Sequence, residues 1–136
     1  MVVDASVWVS ALVPQDVHHT RSREWLEERL REGVLLVAPV ILLAEVAGAI
    51  ARRTGDPSLG ERATEMILSL PTLRLVPVDD RVGGEAARLA ARLRLRGADA
   101  LYVAVASLLG VPLITWDREQ QERCQTVVRT SSPGRT

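Results

Sequence analysis

Short runs of apolar residues alternate along this chain with longer stretches whose apolar positions recur at helical spacing. Residues 2–3 read as a brief strand entering a turn at Asp4. Residues 19–32 show helical spacing through Trp25, Leu26 and Leu30, and Gly33 ends that helix. The unbroken apolar run at 34–38 has the character of a buried parallel strand. Pro39 then occupies a position suited to the first turn of a helix reaching about Arg53. Residues 54–57 form a loop, and Ser58 with Glu61 makes a capping box for the next helix.

A third strand is expected at 73–78. Asp79 or Asp80 can cap the helix that follows, which runs through Ala86, Leu89, Ala90 and Leu93 and is broken by Gly97. Residues 99–109 give another helix, closed by Gly110, and a fourth strand follows at 111–116. A short polar helix near 118–123 and an edge strand at 126–128 complete the pattern. Strands separated by helices imply right-handed crossovers. The expected fold class is α/β, a three-layer α/β/α arrangement with a mostly parallel central sheet of four or five strands. In such sheets the ligand site lies at the carboxyl ends of the strands.

The chain has 136 residues, enough for one domain, expected to span residues 1–130 with a disordered tail at 131–136. Hydrophobic residues make up 47% and charged residues 25%, which suits a packed interior rather than a disordered chain. Formal net charge is zero, which argues against a protein that coats nucleic acid by bulk electrostatics. All 17 basic residues are Arg, so no lysine is present to clamp a phosphate or form a Schiff base. The lone Cys124 excludes an internal disulfide and a multi-cysteine zinc site. The longest apolar run, at 34–43, is too short to span a bilayer. The N-terminus lacks the pattern of a signal peptide, so a cytoplasmic location is expected.

Four carboxylates stand out by position. Asp4 follows the first strand and Asp117 follows the fourth, although each could also cap a helix, Asp117 with Gln120 completing a capping box. Asp99 lies in the first turn of its helix, where the helix dipole favours negative charge. Glu45 interrupts an apolar helix face and must be protonated, paired with an Arg such as Arg52 or Arg53, or bound to a metal. Asp4 and Asp117 converge on one sheet edge if their strands are adjacent, and Asp99 starts a helix of the kind that meets strands at that edge. Two unit charges at 4 Å repel by roughly 4 kcal/mol at an effective dielectric of 20. Several such pairs rival a domain's whole stability of about 5–15 kcal/mol. Such a cluster requires a cation, and oxygen-only ligands point to Mg²⁺ or Mn²⁺.

The segments Val3-Asp4-Ala5-Ser6, Leu43-Ala44-Glu45-Val46 and Thr115-Trp116-Asp117, with the run from Gly97 through Asp99 to Ala106, resemble the motifs of PIN domains. Their order and spacing match over essentially the whole chain, and length and architecture are similar to the VapC-type toxin ribonucleases of toxin–antitoxin pairs. The resemblance implies a metal-dependent endoribonuclease with Asp4, Glu45, Asp99 and Asp117 as the acidic, metal-holding and catalytic set. Ser6 and Thr115 would give polar support. It further implies an RNA substrate, a cognate antitoxin and a homodimer.

From the chemistry of Mg²⁺, direct contact is assigned first to Asp4 and Asp99. Asp117 would hold the ion directly or through water, and Glu45 would orient or take a proton from the attacking water. His18 and His19 are expected in an exposed loop. Arg88, Arg92, Arg94 and Arg96 read as a solvated face, with RNA phosphate contact as the sharper alternative. Trp8 and Trp25 are expected in the core. Phosphoryl-accepting receivers and haloacid-dehalogenase-like enzymes also place Asp at strand ends, but ordinarily need a Lys that is absent here. The remaining alternative is a non-catalytic PIN-like RNA- or protein-binding module.

Overall fold

A computed structural model describes residues 1–134. Five strands, β1 (Val2–Val3), β2 (Leu36–Pro39), β3 (Leu73–Val76), β4 (Leu113–Ile114) and β5 (Thr130–Ser131), form one sheet in the order β3-β2-β1-β4-β5. Every pairing is parallel. The three central strands read as apolar runs because both their faces are covered. Val2, Val3, Leu36, Ala38 and Leu113 are fully buried. The edge strand β3 is only partly covered and carries an exposed Arg74.

Among the described residues seven helices cover the sheet: α1 (Ala5–Leu12), α2 (His19–Arg31), α3 (Leu42–Thr54), α4 (Pro57–Leu68), α5 (Asp80–Leu93), α6 (Gly97–Leu109) and α7 (Arg118–Cys124). On one side α1 packs on α2 and α3, and α3 on α4. On the other, α5 packs on α6, which lies across β1, β2 and β4. The approach of α4 to α3 is especially close. A Cβ at Gly60 would stand 2.6 Å from the Ala47 carbonyl oxygen, so only glycine fits there. Trp8 and Trp25 are buried in the core as expected.

Several element boundaries differ from the sequence pattern, each for a local reason. Pro39 ends β2 instead of opening a helix, pairing with Val76. The next residue, Val40, donates to the Val76 carbonyl, so the ladder passes the proline. Asp56, not Ser58, caps α4, accepting from Ser58 N at 2.9 Å with Pro57 in the first turn. Helix α5 ends before Gly97: Arg94 takes a left-handed φ of 55°, and Gly97 opens α6 instead. The edge strand lies at Thr130–Ser131 rather than 126–128. Ser131, expected to begin the tail, therefore belongs to the sheet, while residues 135–136 of that tail lie outside the described residues.

The order of the strands locates the site. From β1 the chain builds outward through β2 to β3, then returns to the other side of β1 with β4 and β5. The chain reverses its direction of winding between β1 and β4, and a crevice opens at their carboxyl ends.

Candidate metal centre

Asp4 leaves β1 at that crevice, and Thr115, Trp116 and Asp117 leave β4. Asp4 is buried and fixed from two sides. Ser6 N donates to its Oδ2 at 3.3 Å, capping α1, and Thr115 Oγ1 donates to the same oxygen at 2.9 Å. Ser6 Oγ lies 3.3 Å from Thr115 Oγ1 and accepts from Trp116 N at 3.2 Å. The two expected supporting residues thus join the ends of β1 and β4. Burial pushes the Asp4 carboxyl upward, opposed by the Ser6 and Thr115 hydrogen bonds.

Asp99 stands in the first turn of α6, half-buried, with its carboxyl pushed up to about 6. Burial is the largest cause, followed by the negative charges of Asp4, Asp117 and Glu45, with Arg96 opposing. Glu45, in the first turn of α3, is raised by burial and by Asp4. Its partner is neither Arg52 nor Arg53. Arg53 pairs with Asp16 at 2.8 Å, while Glu45 Oε1 accepts from the Tyr102 hydroxyl at 2.6 Å. Asp117 is exposed and caps α7, accepting from Gln120 N at 3.1 Å. Its role as a helix cap and its place beside Asp99 are compatible.

Two residues of the site escaped the sequence pattern. Tyr102 is three residues after Asp99 on the same helix, so the i,i+3 spacing that puts both on one face was readable. Gln120 is almost fully buried, with Oε1 3.3 Å from Thr115 Oγ1 and Nε2 donating to the Asp99 carbonyl at 3.3 Å. It links β4 to α6, a tertiary role that a glutamine in a polar helix does not announce. The histidines differ from expectation as well. Both are half-buried rather than exposed. His18 stacks on Trp116, and His19, the first residue of α2, places Nδ1 2.9 Å from the Ser10 carbonyl.

Asp99 and Asp117 open onto a cavity of about 240 Å³ lined also by Arg96, Glu119, Gln120 and Arg123, and Asp4 and Glu45 are not part of its lining. Arg123 is engaged by Glu119 and by the Arg94 carbonyl. Among the described residues no ion pair reaches Asp4, Glu45, Asp99 or Asp117. Nor do three His, Cys, Asp or Glu side chains stand close enough there to form a ready-made metal cage. The donor chemistry suits a hard cation that needs no cage. Mg²⁺ takes one or two carboxylates and keeps several waters.

The model of the PIN domain family matches residues 1–125. The chain belongs to the PIN-domain family. No curated protein is significantly similar to it in sequence. Among solved structures, this PIN domain resembles VapC20 of Mycobacterium tuberculosis, a sarcin–ricin loop cleaving toxin. The TM-score is 0.77 and the identity 19%, over 89% of this chain and 92% of that one. FitAcB of Neisseria gonorrhoeae matches with a TM-score of 0.72 and 22% identity over 99% of both chains. A toxin–antitoxin complex of Klebsiella pneumoniae matches with a TM-score of 0.69 and 17% identity, over 97% of this chain and 96% of that one. The α/β/α fold expected from the pattern is thus the PIN fold. No helix among the described residues is long and apolar enough to cross a membrane.

Proposed function

We propose that this PIN domain is a Mg²⁺- or Mn²⁺-dependent endoribonuclease and the toxin of a type II toxin–antitoxin pair. One observation carries the reading. Asp99 stands at the switch-point crevice in the field of three other carboxylates, Asp4, Asp117 and Glu45, and none of the four has an ion-pair partner among the described residues. The toxin and toxin–antitoxin proteins of the same fold point the same way.

Asp4 and Asp99 would hold the ion, with Asp117 alongside directly or through water. A divalent ion there supplies charge to offset the phosphate and lowers the pKa of water. The protein's own groups set the geometry. Thr115 and Ser6 lock the Asp4 carboxylate, and Gln120 ties the base of α6, with Asp99, to β4. Glu45 is aimed by the Tyr102 hydroxyl, and burial with nearby Asp4 raises its proton affinity. That suits it to orient water and accept its proton.

The test is cleavage of end-labelled structured RNA, such as tRNA, with Mg²⁺ and with EDTA. Fragments should appear only with Mg²⁺ and should vanish for Asp4→Asn and Asp99→Asn. RNA binding without cleavage would instead establish a non-catalytic module, and cleavage indifferent to EDTA would exclude the metal's role.

The cognate antitoxin is proposed to place an Arg among the carboxylates, where a guanidinium replaces the cation. Inhibition should then weaken as Mg²⁺ rises, and indifference to Mg²⁺ would contradict it. A homodimer is proposed through the start of α3, where Leu43 is half-covered and Val40, just before the helix, is exposed. Helix α6, which is also rich in Ala, Leu and Val, is spent inside the domain, with Tyr102 through Ala106 buried. A monomer in light scattering at micromolar concentration would contradict the dimer.

A further inference from the structure

Helix α7 has a second working face. Glu119, Gln120 and Arg123 look into the acidic cavity, while Arg118, Gln121 and Glu122 line a separate one of about 340 Å³. Positions 118, 121 and 122 fall on one side of a helix and 119, 120 and 123 on the other, so α7 forms a wall between the two. The second cavity is completed by His18, Arg21, Trp116 and Ser132. Its volume lies in the usual range for ligand sites, about 300–1,000 Å³.

Three features of this cavity suit a nucleotide. The first is a flat aromatic pair. The His18 and Trp116 rings are stacked, with centroids 3.8 Å apart and an interplanar angle of 6°. The second is available cation. Arg23, Arg29, Arg53, Arg88 and Arg123 all pair with carboxylates, whereas Arg21 and Arg118 have no ion-pair partner among the described residues. Glu122 is the one acid in the lining, which leaves an excess of one positive charge. The third is attachment to the acidic centre. Trp116 is fixed by its indole N–H donating to Ser22 Oγ at 2.7 Å and by its backbone N–H donating to Ser6 Oγ. Ser6 in turn donates its backbone N–H to Asp4 and meets Thr115 through its hydroxyl.

We infer that this cavity seats a nucleotide of the RNA strand next to the phosphodiester held at the carboxylates. Arg21 and Arg118 contact phosphate, and the His18–Trp116 pair stacks against the base. The inference rests on the ribonuclease reading. Guanidinium groups match phosphate oxygens, and unpaired RNA bases are ordinarily held on aromatic faces. An acidic peptide would use the arginines but leave the ring stack without a role.

Binding of a fluorescein-labelled single-stranded RNA octamer, followed by anisotropy in EDTA over a series of salt concentrations, tests the cavity apart from cleavage. The Arg21→Ala/Arg118→Ala double variant should bind about tenfold more weakly than wild type. Its log-affinity slope against log salt should be shallower by about 0.7 for each phosphate that the variant no longer neutralises. His18→Ala should weaken binding several-fold and leave the slope unchanged. Arg62→Ala, on the exposed face of α4, should change neither, and unaltered melting curves would show that all variants fold. No RNA binding by wild type, equal binding by the double variant, or an equal weakening in Arg62→Ala would each overturn the inference. If this binding pattern holds but Mg²⁺ elicits no cleavage, the nuclease reading falls and the nucleotide cavity stands. If RNA is cleaved while the double variant keeps wild-type binding and KM, the cavity falls and the nuclease stands.

Discussion

The acidic residues of this protein live in two different worlds. On the outer helices and loops Asp16, Glu27, Glu32 and Glu85 each have an arginine partner. At the carboxyl edge of the sheet, Asp4, Glu45, Asp99 and Asp117 have hydroxyls, backbone amides and one another. The pKa directions divide in the same way. Hydrogen bonds and ion pairing hold Asp16 and Glu85 below the usual carboxylate range, whereas burial lifts Asp4, and burial with neighbouring carboxylates lifts Glu45 and Asp99. The same residue types therefore settle the exterior in one place and accumulate unbalanced charge in the other. With 17 arginines against 17 acids, the chain has enough cation to neutralise the edge, yet among the described residues none pairs with these four carboxylates. The proposed metal centre accounts for this imbalance, because a bound cation would supply the missing positive charge.

The largest effect expected from this contrast is on cleavage. Asp99→Asn should lower kcat for RNA by about 100-fold or more, the scale of losing a group that acts on the reacting atoms. Arg88→Ala, which breaks a pair on the exterior, should leave kcat within error. Equal losses from both would erase the distinction.

Next in size is the response to metal. Mg²⁺ at about 100 times its dissociation constant should stabilise wild type by about 2.7 kcal/mol, and Asp4→Asn should lose most of that gain. Thermal melts with and without Mg²⁺ read it directly, and a gain retained in Asp4→Asn would place the ion elsewhere.

Tyr102→Phe should have an intermediate effect. Without the hydroxyl that favours its ionised form, Glu45 should titrate still higher. The acid limb of the pH–rate profile should move to higher pH, and kcat at pH 6 should fall about tenfold with little change in KM. An unmoved acid limb would leave Tyr102 with a packing role only.

The smallest effect is on the metal-free fold. A carboxyl raised from 3.8 to about 6 binds more protons folded than unfolded across that interval, so its contribution to stability falls as pH climbs through it. Asp99→Asn should therefore melt above wild type at pH 7 in EDTA, by about 1 kcal/mol once solvent screening of a half-exposed group is allowed for. The gap should close towards pH 4. A variant that melts lower at pH 7 would mean that Asp99 chiefly serves the dipole of α6.

Legibility in the sequence follows a similar division. Buried strands such as β2 and helices such as α6 reveal themselves because covered faces force apolar runs and periodic spacing. The acids of the edge were legible for the same reason, since Glu45 breaks an apolar face and Asp4 and Asp117 follow apolar strands. What holds them was less legible. Gln120 and Tyr102 act across elements distant in sequence, and polar residues carry no periodic signature of a partner 21 or 57 residues away. Boundaries failed where backbone conformation and not hydropathy decides. Arg94 turns left-handed without a glycine, and Pro39 remains in a strand because the ladder continues through its neighbour. His18 looked like an exposed residue because its partner, Trp116, comes from the far end of the chain.

Crystals grown with Mn²⁺ and measured at the manganese absorption edge test most directly whether the acidic edge is a metal centre. An anomalous peak is expected at the crevice between β1 and β4, ligated by Asp4 or Asp99 and abolished in the Asp4→Asn/Asp99→Asn variant. A peak that survives this double substitution, or manganese bound only among the exterior acids, would contradict it.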